Sequence, residues 1–317
     1  VDIEYVLGHD AKQMNQDEPG RRKASRIPRV PTPRTSCTHA NCAKTAVAKA
    51  RAYAAAGDPV LFIGGLDHEH DLEGRDRTDM RLPYGQDELI EALLEAAPNT
   101  ILAFVAGSPI EMPWADKAKA IVWNWYAGCE SGAALAEVLF GRVNPSGHLP
   151  ETFPIALTDE PAHRIGTFGL EGHVDYAEDI YVGYRYFDAR QVPVLFPFGH
   201  GLSYTDFAFR DLDVRQVDDE IRVTFTVENI GDCAGKAVAQ VYLGLEGTGE
   251  DRPAKELKGF AKVELDAGEF REVTVAMPAA KALRYWSNES GAYALAPEAS
   301  VFVGESVEDI RLSGRVA

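Results

Sequence analysis

Pro59–Gly65 reads Pro-Val-Leu-Phe-Ile-Gly-Gly, a short apolar run stopped by a glycine pair. Its length and punctuation predict a buried strand. Downstream, Gln86–Ala97 carries Leu89, Ile90, Leu93 and Leu94 at helical spacing. Strands follow at Thr100–Ala106 and Ala120–Trp125, a helix at Ser131–Phe140 and strand-like sequence at His148–Phe153. Upstream, the alanine-rich Ala46–Ala56 predicts a helix ended by Gly57-Asp58. Strands alternating with helices in short steps indicate a mostly parallel sheet covered on both faces. Residues 44–155 therefore form an expected α/β sandwich domain.

On either side the character of the sequence changes. Residues 1–43 are irregular, basic and proline-rich, with a strand-like opening at Val1–Leu7. Residues 156–206 read as an interdomain connection rich in glycine, proline and aromatic residues. From Phe207 onward only strand patterns remain; Ile221, Val223, Phe225 and Val227 alternate onto one face. Further short strands are expected at 237–245, 257–263, 272–277, 293–295 and 300–303, with turns every eight to twelve positions. Residues 207–317 thus predict an all-β sandwich of the immunoglobulin or fibronectin type III kind.

The 317 residues carry a net charge of −17, which argues against a nucleic-acid partner. Residues 1–51 run the other way, with ten Lys/Arg against five Asp/Glu. Their run Arg21-Arg22-Lys23 to Arg34, broken by prolines, reads as a solvated or docking segment rather than a nucleic-acid arm. No apolar run approaches a membrane span, and no signal-peptide pattern follows Val1. Cys37 and Cys42 flank His39, but a fourth zinc ligand is not apparent nearby. A local disulfide or two free thiols fits that pair better. No phosphate-binding glycine loop of the dinucleotide or nucleotide type occurs.

The densest cluster of charge follows the first strand: Asp67-His68-Glu69-His70-Asp71-Leu72-Glu73-Gly74-Arg75-Asp76-Arg77. In open α/β sheets functional loops sit at the carboxyl ends of strands. Three readings compete for it: a metal site, a solvated surface loop, and a catalytic carboxylate at Glu73. His68 and His70 lack the i, i+4 spacing of a helical zinc motif. That makes the metal signal weak, and a solvated loop is the ordinary default for a charge run, but composition alone does not choose among the three.

Glu73-Gly74-Arg75-Asp76-Arg77-Thr78-Asp79-Met80-Arg81-Leu82-Pro83, followed by Gln86, resembles the E-G-x-D-R-x-x-M/L-x-L-P-x-x-Q signature of glycoside hydrolase family 3 β-glucosidases. Four further blocks agree in order and spacing: "GSPIEMPWADKAKAIVWNWYAGCESGAALAEVLFGRVNPSGHLPETFP", "YAEDIYVGYRYFD", "LFPFGHGLSYTDF" and "RPAKELKGFAKVELDAGE". The resemblance implies the C-terminal portion of a retaining, exo-acting β-glucosidase acting on cello-oligosaccharides, β-glucans or aryl glucosides. Glu73 falls on the family's general acid/base. Asp76 and Arg77 match its D-R pair, expected to act as loop scaffold. The nucleophilic Asp of the family lies in an S-D-W-type motif of a (β/α)8-type barrel, and that motif does not occur here. The barrel is therefore the partner the resemblance requires, and the family's first α/β strand also looks absent. A proton donor must hold its proton in the free enzyme, which burial against the barrel and the nucleophile would favour. Arg75 and Arg77 are accordingly expected to pair with other acids, Asp76 first, and a bidentate bridge to Glu73 would count against its role.

Neither metal nor organic cofactor is implied. Position 129 is Cys where the family usually has Gln; it is given no catalytic role. A β-xylosidase of the same family is the near alternative, although Asp79-Met80-Arg81-Leu82-Pro83 leans towards glucosidase. A non-catalytic carbohydrate-binding or scaffold role is the distant one. For it, Trp114, Trp123, Trp125, Tyr126, Tyr181, Tyr184 and Tyr186 are the candidate stacking rings, although core or connection packing suits most of them better. The sandwich is expected to be structural, with homodimer contacts a further role open to it.

Overall fold

The computed structural model describes residues 39–166, 168 and 174–316. The basic proline-rich segment and Cys37 lie almost wholly outside these residues, while Cys42 is buried. The chain divides into two compact units, Val1–Gly128 and Cys129–Ala317.

In the first unit, helix α1 (His39–Ala56) precedes strand β1 (Leu61–Gly65). It starts seven residues before the expected Ala46, because no Pro or Gly interrupts the alanine-rich run. Helix α2 (Gln86–Ala96), strand β2 (Ile101–Val105) and strand β3 (Ala120–Trp123) follow. The strands form a parallel sheet of order β1-β2-β3. Leu89, Ile90, Leu93 and Leu94 bury one stripe of α2, and Asp87 and Glu88 complement the positive end of its dipole. Leu102, Ala103 and Phe104 of β2 are fully buried. Two-sided covering does not extend to β1, an edge strand: Phe62 is buried, but Leu61 and Ile63 are 43% and 57% exposed.

The second unit opens with helix α3 (Ser131–Leu139). The strand expected at 148–153 is mostly not one. Only β4 (Phe153–Pro154) is extended, after which come α4 (Pro161–Ile165), α5 (Tyr184–Arg190) and β5 (Val194–Phe196). β5 pairs antiparallel with β4. Leu149 does exchange backbone hydrogen bonds with Gly199 and His200, but Pro150 has no N–H with which to continue the ladder. The helices α4 and α5 lie in what the sequence presents only as a connection.

Strands β6 (Phe207–Val217), β7 (Glu220–Asn229), β8 (Gly235–Glu246), β9 (Glu256–Leu265) and β10 (Phe270–Pro278) lead to the short helix α6 (Ala279–Ala282). Strands β11 (Arg284–Ser287), β12 (Ala292–Leu295), β13 (Glu298–Gly304) and β14 (Ile310–Val316) complete the fold. Two antiparallel sheets, β10-β7-β6 and β14-β13-β8-β9, make the sandwich; β11 and β12 form a separate hairpin. Ile221, Val223, Phe225 and Val227 are all fully buried, in one core with Val241, Leu243, Val301 and Val303. Among the described residues no helix is long and apolar enough to cross a membrane.

One acid in this unit gives a pH signature. Burial, reinforced by the nearby Glu160 carboxylate, pushes the Glu151 carboxyl up to about 7. The folded state therefore binds a proton that the unfolded chain releases at lower pH. The resulting stability is full below about 4.5 and is lost as pH rises through 7. Glu151→Gln is expected to flatten this loss and to raise stability at pH 8 by about 1–3 kcal/mol. Urea unfolding at pH 5 and pH 8 reads the effect, and an undiminished pH 5–8 difference in the variant would assign it elsewhere.

Candidate active site

The charged loop leaves β1 at a point where only glycine fits. Gly65 has φ +137°, and a Cβ there would collide with the Val105 carbonyl of β2. The Gly65 peptide is clamped on both sides by buried Gln86: its N–H donates to Gln86 Oε1 at 2.9 Å, and Gln86 Nε2 donates back to its carbonyl at 2.9 Å. The first residue of α2 thus fixes where the loop begins.

Asp67 organises the first bend. It accepts hydrogen bonds from the Glu69 N–H (3.0 Å), His70 Nδ1 (2.7 Å) and the Tyr84 hydroxyl (2.6 Å). Burial alone would raise its pKa, but the Tyr84, His70 and backbone bonds outweigh it and hold the carboxyl below its ordinary value. The same bond to Asp67, aided by burial, pushes the Tyr84 phenol up to about 12. Tyr84 sits at φ 64°, a left-handed conformation uncommon for a bulky side chain; its bond to Asp67 helps retain it.

Four residues on, Asp71 reaches across to the ends of β2 and β3. Its Oδ2 accepts from the Gly107 N–H at 3.0 Å and the Tyr126 hydroxyl at 2.9 Å. Burial, and then the bond to Asp71, push the Tyr126 phenol up to about 12. Leu72 and Arg75 next form an antiparallel bridge, closing a tight turn with Gly74 at φ +78°. Glu73 occupies the exposed tip of that turn. Its carboxylate has no hydrogen bond or ion pair among the described residues.

The arginines do not pair with Asp76. Arg75 donates to the Glu69 carbonyl at 2.8 Å. Arg77 donates to the Ser108 hydroxyl at 3.2 Å and to the Pro109 carbonyl at 3.0 Å. Both guanidinium groups find backbone acceptors within reach, and Asp76 stays exposed with no partner among the described residues. Neither arginine bridges Glu73. Burial lowers the pKa of Arg77, against the opposing fields of Asp71 and Asp79.

Among the described residues no group of three or more His, Cys, Asp or Glu side chains is placed to hold a metal ion. His70 is instead taken up by Asp67. Several of the candidate stacking rings are interior. Trp114 is fully buried, stacks on Phe104 at 5.4 Å and donates to Asp87. Tyr181, Tyr184 and Tyr186 are buried too. Tyr126 is 51% exposed, but its hydroxyl serves Asp71. Asp67, Asp71, Tyr84 and Gln86 are the site residues to which the sequence reading gave no role. The Asp67–Tyr84, Gln86–Gly65 and Asp71 ties span 17 to 55 residues, too far for a local pattern to show, although Asp67 also bonds Glu69 and His70 close by.

The model of the glycosyl hydrolase family 3 C-terminal domain matches residues 5–204, and that of a fibronectin type III-like domain matches residues 237–307. "Probable beta-glucosidase I" of Emericella nidulans is 43% identical over 256 residues, covering 78% of this chain and 30% of that protein. "Thermostable beta-glucosidase B" of Acetivibrio thermocellus is 41% identical over 278 residues, covering 84% of this chain and 36% of that protein. The crystal structure of a β-glucosidase from Kluyveromyces marxianus in complex with glucose superposes with a TM-score of 0.84 at 40% identity. That match covers 89% of this chain and 34% of the other. The chain thus spans about a third of the length of the relatives it matches.

Proposed function

The chain belongs to glycosyl hydrolase family 3, and from that premise we propose that it is the C-terminal part of a retaining, exo-acting β-glucosidase in which Glu73 is the general acid/base. The observation that carries the reading is the state of Glu73. It is presented at the tip of a bridged turn, beyond the carboxyl end of a parallel strand, on a loop tied down on both sides of it. Its carboxylate has no described partner within the chain and is free to serve a substrate.

A retaining glycosidase needs a second carboxyl about 5–5.5 Å from the first. One attacks the anomeric carbon; the other protonates the departing oxygen and then takes the proton of the incoming water. In this reading the nucleophile is an Asp on a (β/α)8-type barrel outside these residues. The barrel also supplies the glycone pocket, and the assembled enzyme is this chain together with that barrel. Terminal β-D-glucosyl units of cello-oligosaccharides, β-glucans or aryl glucosides are the substrates; the names of the relatives, β-glucosidases throughout, support glucose over xylose. The interior positions of Trp114, Tyr181, Tyr184 and Tyr186 weigh against a purely sugar-binding role resting on those rings.

Proton NMR of the first sugar released by the assembled enzyme tests the mechanism. β-Glucose is expected to appear first and then mutarotate. α-Glucose appearing first would mean inversion, which requires a wider carboxyl separation, and would end the retaining assignment.

A further inference from the structure

Glu73 has no side-chain bond of its own among the described residues, so its position is set by the backbone that carries it. That backbone stands on two feet six residues apart. At one, Asp71 Oδ2 accepts from the Gly107 N–H and the Tyr126 hydroxyl. At the other, Arg77 donates to Ser108 and Pro109. Both feet rest on the same turn, residues 107–109, which follows β2. The contact with Gly107 is also built for close approach. A Cβ at that position would come within 2.8 Å of Asp71 Oδ2 and 2.7 Å of the Tyr126 ring. A side chain at 107 would push both groups out of this arrangement, so glycine suits the close approach.

We propose that Asp71 is a positioning residue for the acid/base: tied to Gly107 and Tyr126, it sets the height and direction of the Leu72–Arg75 turn that presents Glu73. The proposal rests on the reading of Glu73 as general acid/base. Its chemistry is specific. A charged acceptor makes hydrogen bonds roughly twice as strong as a neutral one, and two donors arriving from separate strand ends fix the carboxylate in more than one direction. Without this foot the turn keeps its local bridge but can swing about Arg77. Proton transfer to the leaving oxygen is sensitive to such displacement, whereas attack by the nucleophile is not.

The test is a leaving-group comparison in the assembled enzyme. Asp71→Ala is expected to lower kcat on p-nitrophenyl β-glucoside by about 10²-fold, with KM little changed. On 2,4-dinitrophenyl β-glucoside, whose phenolate leaves with little protonic help, glucosyl-enzyme formation should fall by less than about threefold. Asp71→Asn, whose amide oxygen can still accept both bonds, should lie closer to wild type than Asp71→Ala. Equal losses on both substrates would show a merely structural role and overturn the proposal, as would no loss. Glu73→Ala in parallel separates the two ideas: if it shows no leaving-group dependence, the acid/base reading itself has failed. Hydrogen exchange on this chain alone reads the same tie without any barrel. Asp71→Ala and Tyr126→Phe should both speed exchange across residues 72–76 while leaving α2 and β2 protected. Unchanged exchange at 72–76 would refute the positioning role directly.

Discussion

Replacing Glu73 by alanine in the assembled enzyme is expected to lower kcat on substrates with poor leaving groups by about 10²–10⁴-fold, the usual worth of general acid–base catalysis. The loss should shrink as the leaving group improves. For 2,4-dinitrophenyl β-glucoside the first step no longer needs a proton, so the glucosyl-enzyme still forms. Its hydrolysis then becomes limiting, because no base remains to activate water, and KM should drop as the intermediate accumulates. Azide, already anionic, needs no base and fits the space the carboxylate vacates. It should restore turnover and yield β-glucosyl azide. Exposure of Glu73 at a turn tip makes this a clean substitution, since no side-chain bond to a described residue is broken and Gly74 next to it has open space at its Cβ position. A variant that loses activity equally on every substrate and ignores azide would remove Glu73 from the proton-transfer role.

The parts of this protein that local periodicity governs were legible in its sequence. The stripe Leu89, Ile90, Leu93, Leu94 sits on α2, and the alternation Ile221 to Val227 lies in the sandwich core. The mostly parallel α/β sheet followed by an antiparallel sandwich is the architecture observed. What periodicity does not govern was missed. The run at 148–153 looks like a strand by composition, yet Pro150 breaks its ladder. The loop scaffold of Asp76 and Arg77 was read from the family's D-R pair, and Arg75 and Arg77 were expected to pair with acids, Asp76 first, so that Glu73 could keep its proton. In the structure these arginines bond to carbonyls instead, Arg77 to one 32 residues away. The ties of Asp71 span 36 and 55 residues. Such bonds depend on which strand ends come together in the sheet, information that resides in the topology rather than in any window of sequence. Glu73, the proposed acid/base, is singled out only through a family signature, because an exposed glutamate in a charged loop has no distinguishing physical mark of its own.

This purified 317-residue chain, its length confirmed by intact mass, is expected to show no turnover of p-nitrophenyl β-glucoside above the level of its Glu73→Ala variant. Enzymes of all kinds accelerate reactions by about 10⁶–10¹⁷-fold, and one general acid accounts for only about 10²–10⁴ of that. The remainder comes from holding the sugar against a nucleophile and stabilising the charge that develops on its ring. Glu73 stands exposed, and its carboxylate has no partner among the described residues. Neighbouring acids are poorly suited to replace the nucleophile: both Asp67 and Asp71 are committed to tyrosine and backbone donors. Addition of the barrel-bearing part should then bring activity that neither component has alone, with a dependence on the concentration of both. Turnover by the chain itself, abolished by Glu73→Ala, would demand a second carboxyl within about 5.5 Å of Glu73. Asp76, exposed and without a described partner three residues away, would be the first to replace, and the active site would be complete in one chain rather than shared with a barrel.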